Sequence, residues 1–258
     1  MAIQHSCLEE KKALVFGGTS GLGKAIAIGL AEAGAQLAPV SRRLEAVRRT
    51  AAEIRTLGGD ALEITADVTV RTEVQRAVDI MLDQMGRIDV LVNSAGITKR
   101  IPSLDVTDET WDQILDVNIN GTWNTCQIVG RVMRKQGYGR IVNIASLASF
   151  VSVHEAAPYC ASKGAVAQIT RCLAAEWAKY GITVNAIAPG VFETPLNRNI
   201  INDPTRKESI LSRTPMGRYG NVDEIKGPAV FLASDSASFI TGEILTVDGG
   251  FMAQGIAK

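Results

Sequence analysis

The chain has 258 residues, 46% of them hydrophobic, and its 27 Lys and Arg balance 27 Asp and Glu. That length suits one large α/β domain and a substantial core. A neutral chain without a basic tract or charged tail excludes the electrostatic footprint of a nucleic-acid binder.

In chain order, the first candidate strand is Ala13–Phe16. It runs into Gly17-Gly18-Thr19-Ser20-Gly21-Leu22-Gly23, and a helix is expected over Gly23–Ala33. Strand, glycine-rich turn and helix N-terminus together form an anion site, because bare backbone lets a pyrophosphate approach free N–H groups at the positive end of a helix dipole. The spacing is GxxxGxG, and a tight turn is the competing reading of the glycines alone. The second strand, Gln36–Val40, contains Pro39, which lacks a ladder donor and predicts an early end or a bulge there. Ser41-Arg42-Arg43 follows, with no carboxylate before Glu45. A hydroxyl followed by guanidinium suits a 2′-phosphate, so NADP is favoured, with NAD as the alternative. A solvated helix start is the competing reading of the two arginines.

A helix over Leu44–Thr56, a strand over Ala61–Thr65, a helix over Val70–Met85 and a strand over Val90–Asn93 come next. One long helix is predicted over Asp108–Gln136, then a strand over Arg140–Ile144 and a helix over Tyr159–Tyr180. The remaining elements are a strand over Thr183–Ile187, a helix over Val222–Ala233 and a last strand over Ile244–Val247. Strands alternating with helices predict a single-domain, Rossmann-type, doubly wound parallel sheet of about seven strands with helices on both faces. No repeat or linker divides residues 1–258. Leu196–Ser212, within a segment at about 191–215, mixes polar and apolar residues and is expected to form a substrate lid.

Tyr159 and Lys163 stand at i and i+4, on one helical face, with Pro158 suited to the first turn. An ammonium beside a phenol stabilises the phenolate, and a phenol so tuned can exchange a proton with a reacting oxygen. An ordinary Tyr–Lys pair on a solvated helix is the competing reading. Ser146 follows the strand Arg140–Ile144, and Asn93-Ser94-Ala95-Gly96 closes the fourth strand, where an open parallel sheet binds its ligand. Ser146 could equally cap a helix.

These stretches together, from Gly17 to Gly250, resemble the short-chain dehydrogenase/reductase family. GGTSGLG resembles its cofactor loop, ADV with Asp67 and Val68 its adenine contact, and NSAG its NNAG segment. Asn118 in DVNINGTW, Ser146 in VNIAS, and Tyr159 with Lys163 in YCASK resemble its four catalytic residues. PGVFET over Pro189–Thr194 resembles the segment that holds the nicotinamide carboxamide, and TVDGG the end of its last strand. The resemblance implies Tyr159 as general acid/base and Ser146 as the group orienting the reacting oxygen. It also implies Lys163 as the residue that lowers the Tyr159 pKa and binds the nicotinamide ribose, and Asn118 as the holder of a relay water. The implied cofactor contacts are Gly17, Thr19, Ser20, Gly21, Leu22, Gly23, Ser41, Arg42, Asp67, Val68, Asn93, Ala95, Gly96, Tyr159, Lys163, Pro189, Gly190, Val191 and Thr194. Phe16 and Ser94 depart from the family pattern, which has threonine and asparagine there.

GITKRIP after NSAG, with ETPLN and TPMGRYG, resembles gluconate 5-dehydrogenases and related sugar-acid reductases. The expected function is therefore NADP-dependent hydride transfer to or from a sugar acid or polyol. Arg100 could bind a substrate carboxylate as a fork, or be an exposed loop residue. His154 and Glu193 could bind hydroxyls beside Ser146 and Tyr159. The alternative is a 3-oxoacyl-carrier-protein reductase, for which Arg131, Arg134 and Lys135 would dock an acidic carrier. A cofactor-binding protein without catalysis is a third reading. The resemblance also implies a homotetramer packed through the helices Asp108–Gln136 and Tyr159–Tyr180.

Cys7, Cys126, Cys160 and Cys172 form no CxxC pair, and His5 and His154 are the only histidines, so no metal site is expected. Cys160 is assigned no chemistry. No apolar run reaches spanning length, and the charged opening MAIQHSCLEEKK lacks the apolar run of a signal peptide. A soluble cytoplasmic protein that engages no membrane is expected.

Overall fold

Short apolar runs rich in Val, Ile, Leu and Ala pair side by side because both of their faces can be buried. In the computed structural model, which describes residues 8–194, 197, 201 and 203–254, they form one parallel sheet. The strands are β1 (Lys12–Phe16), β2 (Gln36–Val40), β3 (Val90–Asn93), β4 (Gly139–Ile144), β5 (Ile182–Pro189) and β6 (Ile244–Val247). Their order is β2-β1-β3-β4-β5-β6. Ala13 and Val15 of β1 face one core with Ile26, Leu30 and Leu232, whereas Leu14 and Phe16 face the other with Val78, Met81 and Val129. Burial on both faces is what a parallel sheet requires.

The sheet has six strands where about seven were expected. Ala61–Thr65 runs along the outer edge of β2 but touches it only at Leu37↔Ala61 and Ser41↔Thr65. Pro39 explains the gap. Leu37 turns its N–H and carbonyl towards this edge, donating to the Asp60 carbonyl at 3.0 Å and accepting from Leu62 N at 2.9 Å. In a parallel ladder every second residue faces the same neighbour. Pro39 is next in that series and has no proton to donate. On its other side β2 continues unbroken, with Val15↔Pro39 in register. Pro39 therefore neither ends nor bulges β2; it splits the strand beyond it.

Helices α1 (Gly21–Glu32), α2 (Leu44–Thr56) and α3 (Arg71–Met85) connect the first strands. The long helix expected over Asp108–Gln136 is two helices, α4 (Asp108–Leu115) and α5 (Gly121–Gln136), joined by a five-residue π turn, Asp116–Asn120. Helix α6 (Ala157–Trp177) follows β4. Helices α7 (Pro204–Ser212) and α8 (Lys226–Ala233) lie after β5. Among the described residues no helix is long and apolar enough to cross a membrane.

A buried polar ladder ties α6 to the sheet. Asn93 Nδ2 donates to Asn143 Oδ1 at 2.9 Å and to Cys126 Sγ at 3.2 Å. Asn143 Nδ2 donates to Thr170 Oγ1 at 2.9 Å, and that hydroxyl donates to the Val166 carbonyl at 2.8 Å. Thr170 is fully buried. Thr170→Val keeps the shape but leaves the Asn143 amide without its acceptor. We expect a loss of about 1–3 kcal/mol. Urea denaturation of the variant against the wild-type protein checks it.

Candidate active site

The C-terminal ends of β1, β3, β4 and β5 open into one cleft of about 450 Å³. It lies where the strand order reverses beside β1, the place where an open α/β sheet binds its ligand.

One end of the cleft is the glycine loop. Gly17 has φ +79° and donates its N–H to the Val40 carbonyl at 2.9 Å. A Cβ there would lie 2.5 Å from Ala95 N, so only glycine lets this loop sit against the loop after β3. A Cβ on Gly23 would collide with the Gly17 carbonyl, so α1 begins tight against its own loop. Thr19, Ser20, Gly21 and Leu22 complete the wall. Ser41, Arg42 and Arg43 line the cleft at the end of β2. The Ser41 hydroxyl oxygen is buried and has no hydrogen-bond partner. A buried hydroxyl without a protein partner beside two guanidiniums fits a phosphate on the cofactor's ribose. Arg42 Nη1 stands 3.6 Å from Asp67 Oδ2. Burial alone would raise the Asp67 carboxyl. Hydrogen bonds from Thr69 N at 2.9 Å and Thr69 Oγ1 at 2.8 Å, with Arg42, hold it below its ordinary value.

The other end holds Ser146, Tyr159 and Lys163. Ser146 begins the short turn after β4, and its hydroxyl accepts from Ala148 N at 3.1 Å. It also lies close enough to the Tyr159 phenol to favour its ionised form. Pro158 stands in the first turn of α6, so Tyr159 leaves the helix start and faces the cleft. Lys163, one turn on, is buried, and its Nζ donates to the Ile144 carbonyl at 2.6 Å. Burial depresses Lys163 to about 8. Its Nζ is 5.8 Å from the centre of the Tyr159 ring. Lys163 is not among the groups that lower the Tyr159 pKa in this geometry. Burial raises the phenol, the nearby Ser146 hydroxyl only partly offsets it, and Lys163 Nζ is hydrogen-bonded to Ile144.

Asn118 lies in the π turn, fully buried beneath the cleft. Its Oδ1 accepts from Ile97 N at 2.9 Å, and its Nδ2 donates to the Ile97 carbonyl at 3.0 Å and to Ser162 Oγ at 2.9 Å. Ser162 Oγ in turn donates to the Tyr159 carbonyl at 2.7 Å. The Asn118 side chain thus fastens the loop after β3 to the turn of α6 that carries Tyr159. A π turn widens the helix by one residue, which swings this side chain inward.

Val68, Ala95, Gly96, Arg100, Pro189, Gly190, Val191 and Thr194 all line the cleft as expected. Three expected contacts do not. Asn93 is buried in the ladder below, because its register partner on the same face is Asn143. His154 has a side chain 85% exposed and stands beside Glu155. Glu193 is exposed and lies near Tyr219, whose phenol it pushes up along with burial. The cleft adds Arg43, Ile97, Thr98, Val153 and Ile210. Arg43 had a signal in its pairing with Arg42; the apolar residues had none. Of the expected lid, Pro195, Leu196, Arg198, Asn199, Ile200 and Asn202 lie outside the described residues. Among the described residues no group of three His, Cys, Asp or Glu could hold a metal ion. Arg131 and Arg134 border a second groove of about 390 Å³ with Trp123 and Trp177, and Arg134 stacks on Tyr180 at 4.6 Å.

A glycine-walled cradle at one end of a cleft and a serine and a phenol beside a buried amine at the other define a nicotinamide-dependent oxidoreductase. A family model described as enoyl-(acyl carrier protein) reductase matches residues 17–252. A 2-dehydro-3-deoxy-D-gluconate 5-dehydrogenase of Pseudoalteromonas atlantica is 41% identical over 98% of this chain and 100% of its own length. D-threitol dehydrogenase of Mycolicibacterium smegmatis is also 41% identical, over 95% of this chain and 94% of that one. The crystal structure of a gluconate 5-dehydrogenase from Burkholderia cenocepacia in complex with NADP and tartrate superimposes with a TM-score of 0.95 at 40% identity, covering 99% of this chain and 100% of that one. The chain belongs to the short-chain dehydrogenase/reductase family.

Because the native state disfavours the Lys163 ammonium, it sheds that proton near pH 8 while the unfolded chain keeps it to about 10.5. The unfolded state binds more protons in that window, so stability rises with pH across it. Relative to Lys163→Met, the wild-type protein should gain about 3 kcal/mol over the window. Chemical denaturation of both cofactor-free proteins across a pH series reads this directly, and a pH-independent difference would contradict the burial.

Proposed function

We propose that the protein is an NADP-dependent oxidoreductase acting on the carbonyl or secondary alcohol of a sugar acid or polyol, in the manner of gluconate 5-dehydrogenase. The observation that carries the reading is the Ser146–Tyr159–Lys163 group at the end of a glycine-walled cleft. When bound, the nicotinamide supplies the hydride or accepts it. Gly17 and Thr19–Gly23 would hold its phosphates, and Asp67 and Val68 its adenine side. Pro189–Val191 and Thr194 would hold the carboxamide, Ala95 and Gly96 the middle of the cofactor, and Lys163 the ribose. Ser41, Arg42 and Arg43 would hold a 2′-phosphate.

Tyr159 is the acid/base in this reading. The phenol is protonated at neutral pH by its ordinary value, and burial raises it further, so it is present as the acid that donates to an alkoxide as a carbonyl is reduced. Ser146 Oγ, beside the phenol, is placed to hold the same substrate oxygen. Below about pH 8, where Lys163 keeps its proton, its charge beside the ring would stabilise the phenolate left when Tyr159 donates. Asn118 positions rather than reacts, since its amide is spent on Ile97 and Ser162. Arg100 on the cleft wall is the group suited to a substrate carboxylate. The names of the relatives support both substrate types, and tartrate in the Burkholderia structure is itself a hydroxy acid. A lid formed by about residues 191–215, the single-domain organisation and a homotetramer belong to the same proposal. The groove at Trp123 and Trp177, edged by Arg131, Arg134 and Glu176, supports the tetramer as a concave face of mixed chemistry that a second copy could fill.

An initial-rate panel of 5-ketogluconate, neutral ketoses and an acetoacetyl thioester with both cofactors tests the reading; activity confined to the thioester would defeat it. Tyr159→Phe should lower kcat by a factor of about 10²–10⁴ with cofactor affinity retained. Oxidation by the wild-type enzyme should accelerate into the alkaline range, because the raised phenol ionises late. Arg42→Asp should move the ratio of NADP to NAD use towards NAD by about tenfold or more, as a charged hydrogen bond is exchanged for repulsion. Steady-state kinetics with each cofactor measure that ratio.

A further inference from the structure

Two arginines flank one carboxylate at the mouth of the cleft. Glu155 lies in the loop before α6 with φ +60°, and its carbonyl accepts from Ile101 N at 2.8 Å. Arg100 is the residue before Ile101, and its Nη1 donates to the His154 carbonyl at 3.3 Å. Arg100 and Glu155 therefore stand on adjoining segments held together by backbone hydrogen bonds. Yet the Glu155 carboxylate pairs elsewhere. Its Oε2 accepts from Arg206 Nη2 of α7 at 2.9 Å, and His154 Nδ1 is 3.7 Å from the same oxygen. Arg206 is fixed further by Asp203, whose Oδ2 lies 3.5 Å from Arg206 Nε and whose Oδ1 caps α7. Among the described residues no carboxylate lies within ion-pair distance of Arg100, although it is half-buried and lines the cleft. Ile210, one turn after Arg206, lines the same cleft.

We propose that Arg206 is a specificity-determining positioning residue. By occupying Glu155, it keeps that carboxylate off Arg100 and so leaves Arg100 open to the carboxylate of an acidic substrate. The proposal rests on the reading of Arg100 given above. The physical reason is competition. A carboxylate only about a quarter exposed, as Glu155 is at 27%, is costly to leave unpaired. Without Arg206, the cation across the adjoining loop is Arg100. An internal carboxylate acts at high effective concentration and would exclude the substrate's. A neutral polyol makes no use of the Arg100 charge and is indifferent to the exchange.

Steady-state kinetics with D-gluconate and with the neutral polyol D-sorbitol test this on five proteins: wild type, Arg206→Gln, Glu155→Gln, the double variant and Arg100→Gln. Arg206→Gln should raise KM for gluconate about tenfold more than it changes KM for sorbitol, the worth of one charged hydrogen bond. The double variant should return the gluconate KM to within about twofold of wild type, because the competing carboxylate is gone. Glu155→Gln alone should leave it at or below wild type. An unchanged gluconate KM in Arg206→Gln, an equal rise for sorbitol, or failure of the double variant to rescue overturns the proposal. Arg100→Gln separates the two levels. If it leaves the gluconate KM unaltered, the carboxylate seat itself is wrong; if it raises it while Arg206→Gln does not, only the role of Arg206 falls.

Discussion

The bond from the buried Lys163 ammonium to the Ile144 carbonyl joins the catalytic helix to the end of the central strand. A cation in this position must be satisfied, and in the free protein the strand end provides the acceptor. That fixes how far α6 can slide along β4. Thr170, two turns further on, meets Asn143 of the same strand, and Ser149 Oγ donates to the Lys163 carbonyl at 2.8 Å. Three polar contacts along one helix face leave a single register, and only in that register does the Tyr159 hydroxyl reach Ser146. The site's geometry is thus a by-product of how the helix is anchored. Asn118, through Ser162, adds a fourth tie at the turn that carries Tyr159.

A chain with no net charge has sorted its charges along the cleft. Arg42 and Arg43 stand at one end and Arg100 at the other, with the Tyr159 phenol between them. The carboxylates near these cations are treated differently: Asp67 is held by Thr69 but also faces Arg42, whereas Glu155 is taken by Arg206. In the proposed reading an anionic group would have to share Arg42 with Asp67 at one end, and would meet Arg100 without an ion-paired carboxylate at the other.

Much of this was legible in the sequence, and the failures have physical causes. The bounds of β2, α2, β3 and β6 follow from apolar runs bracketed by turn residues. The Ala61–Thr65 strand is locally plausible, but its pairing depends on Pro39, more than twenty residues earlier in the chain. The π turn at Asp116–Asn120 inserts one residue without breaking the apolar pattern, so periodicity reads one helix where there are two. Tyr159, Lys163 and Ser146 were visible because spacing and motif order mark them. Asn93 lies below the cleft and not on its wall because the same motif runs from the cleft into the core, and only the strand register says which residue is which. Glu155 and Arg206 carry no motif at all. They come from separate loops and acquire meaning only when the fold brings them to one side of the cleft.

Pro39 has an effect beyond the strand it splits. The outer edge of β2, covered only by the two bridges to Ala61 and Thr65, is where a strand from another molecule would pair if that segment lifted away. Between Leu37, already engaged with Asp60 and Leu62, and Ser41, the residue facing outward is Pro39, which offers a carbonyl and no proton. An incoming strand would find one acceptor there and no donor, too little to seed a ladder. The same imino acid that denies the protein a seventh strand guards its edge against unwanted ones.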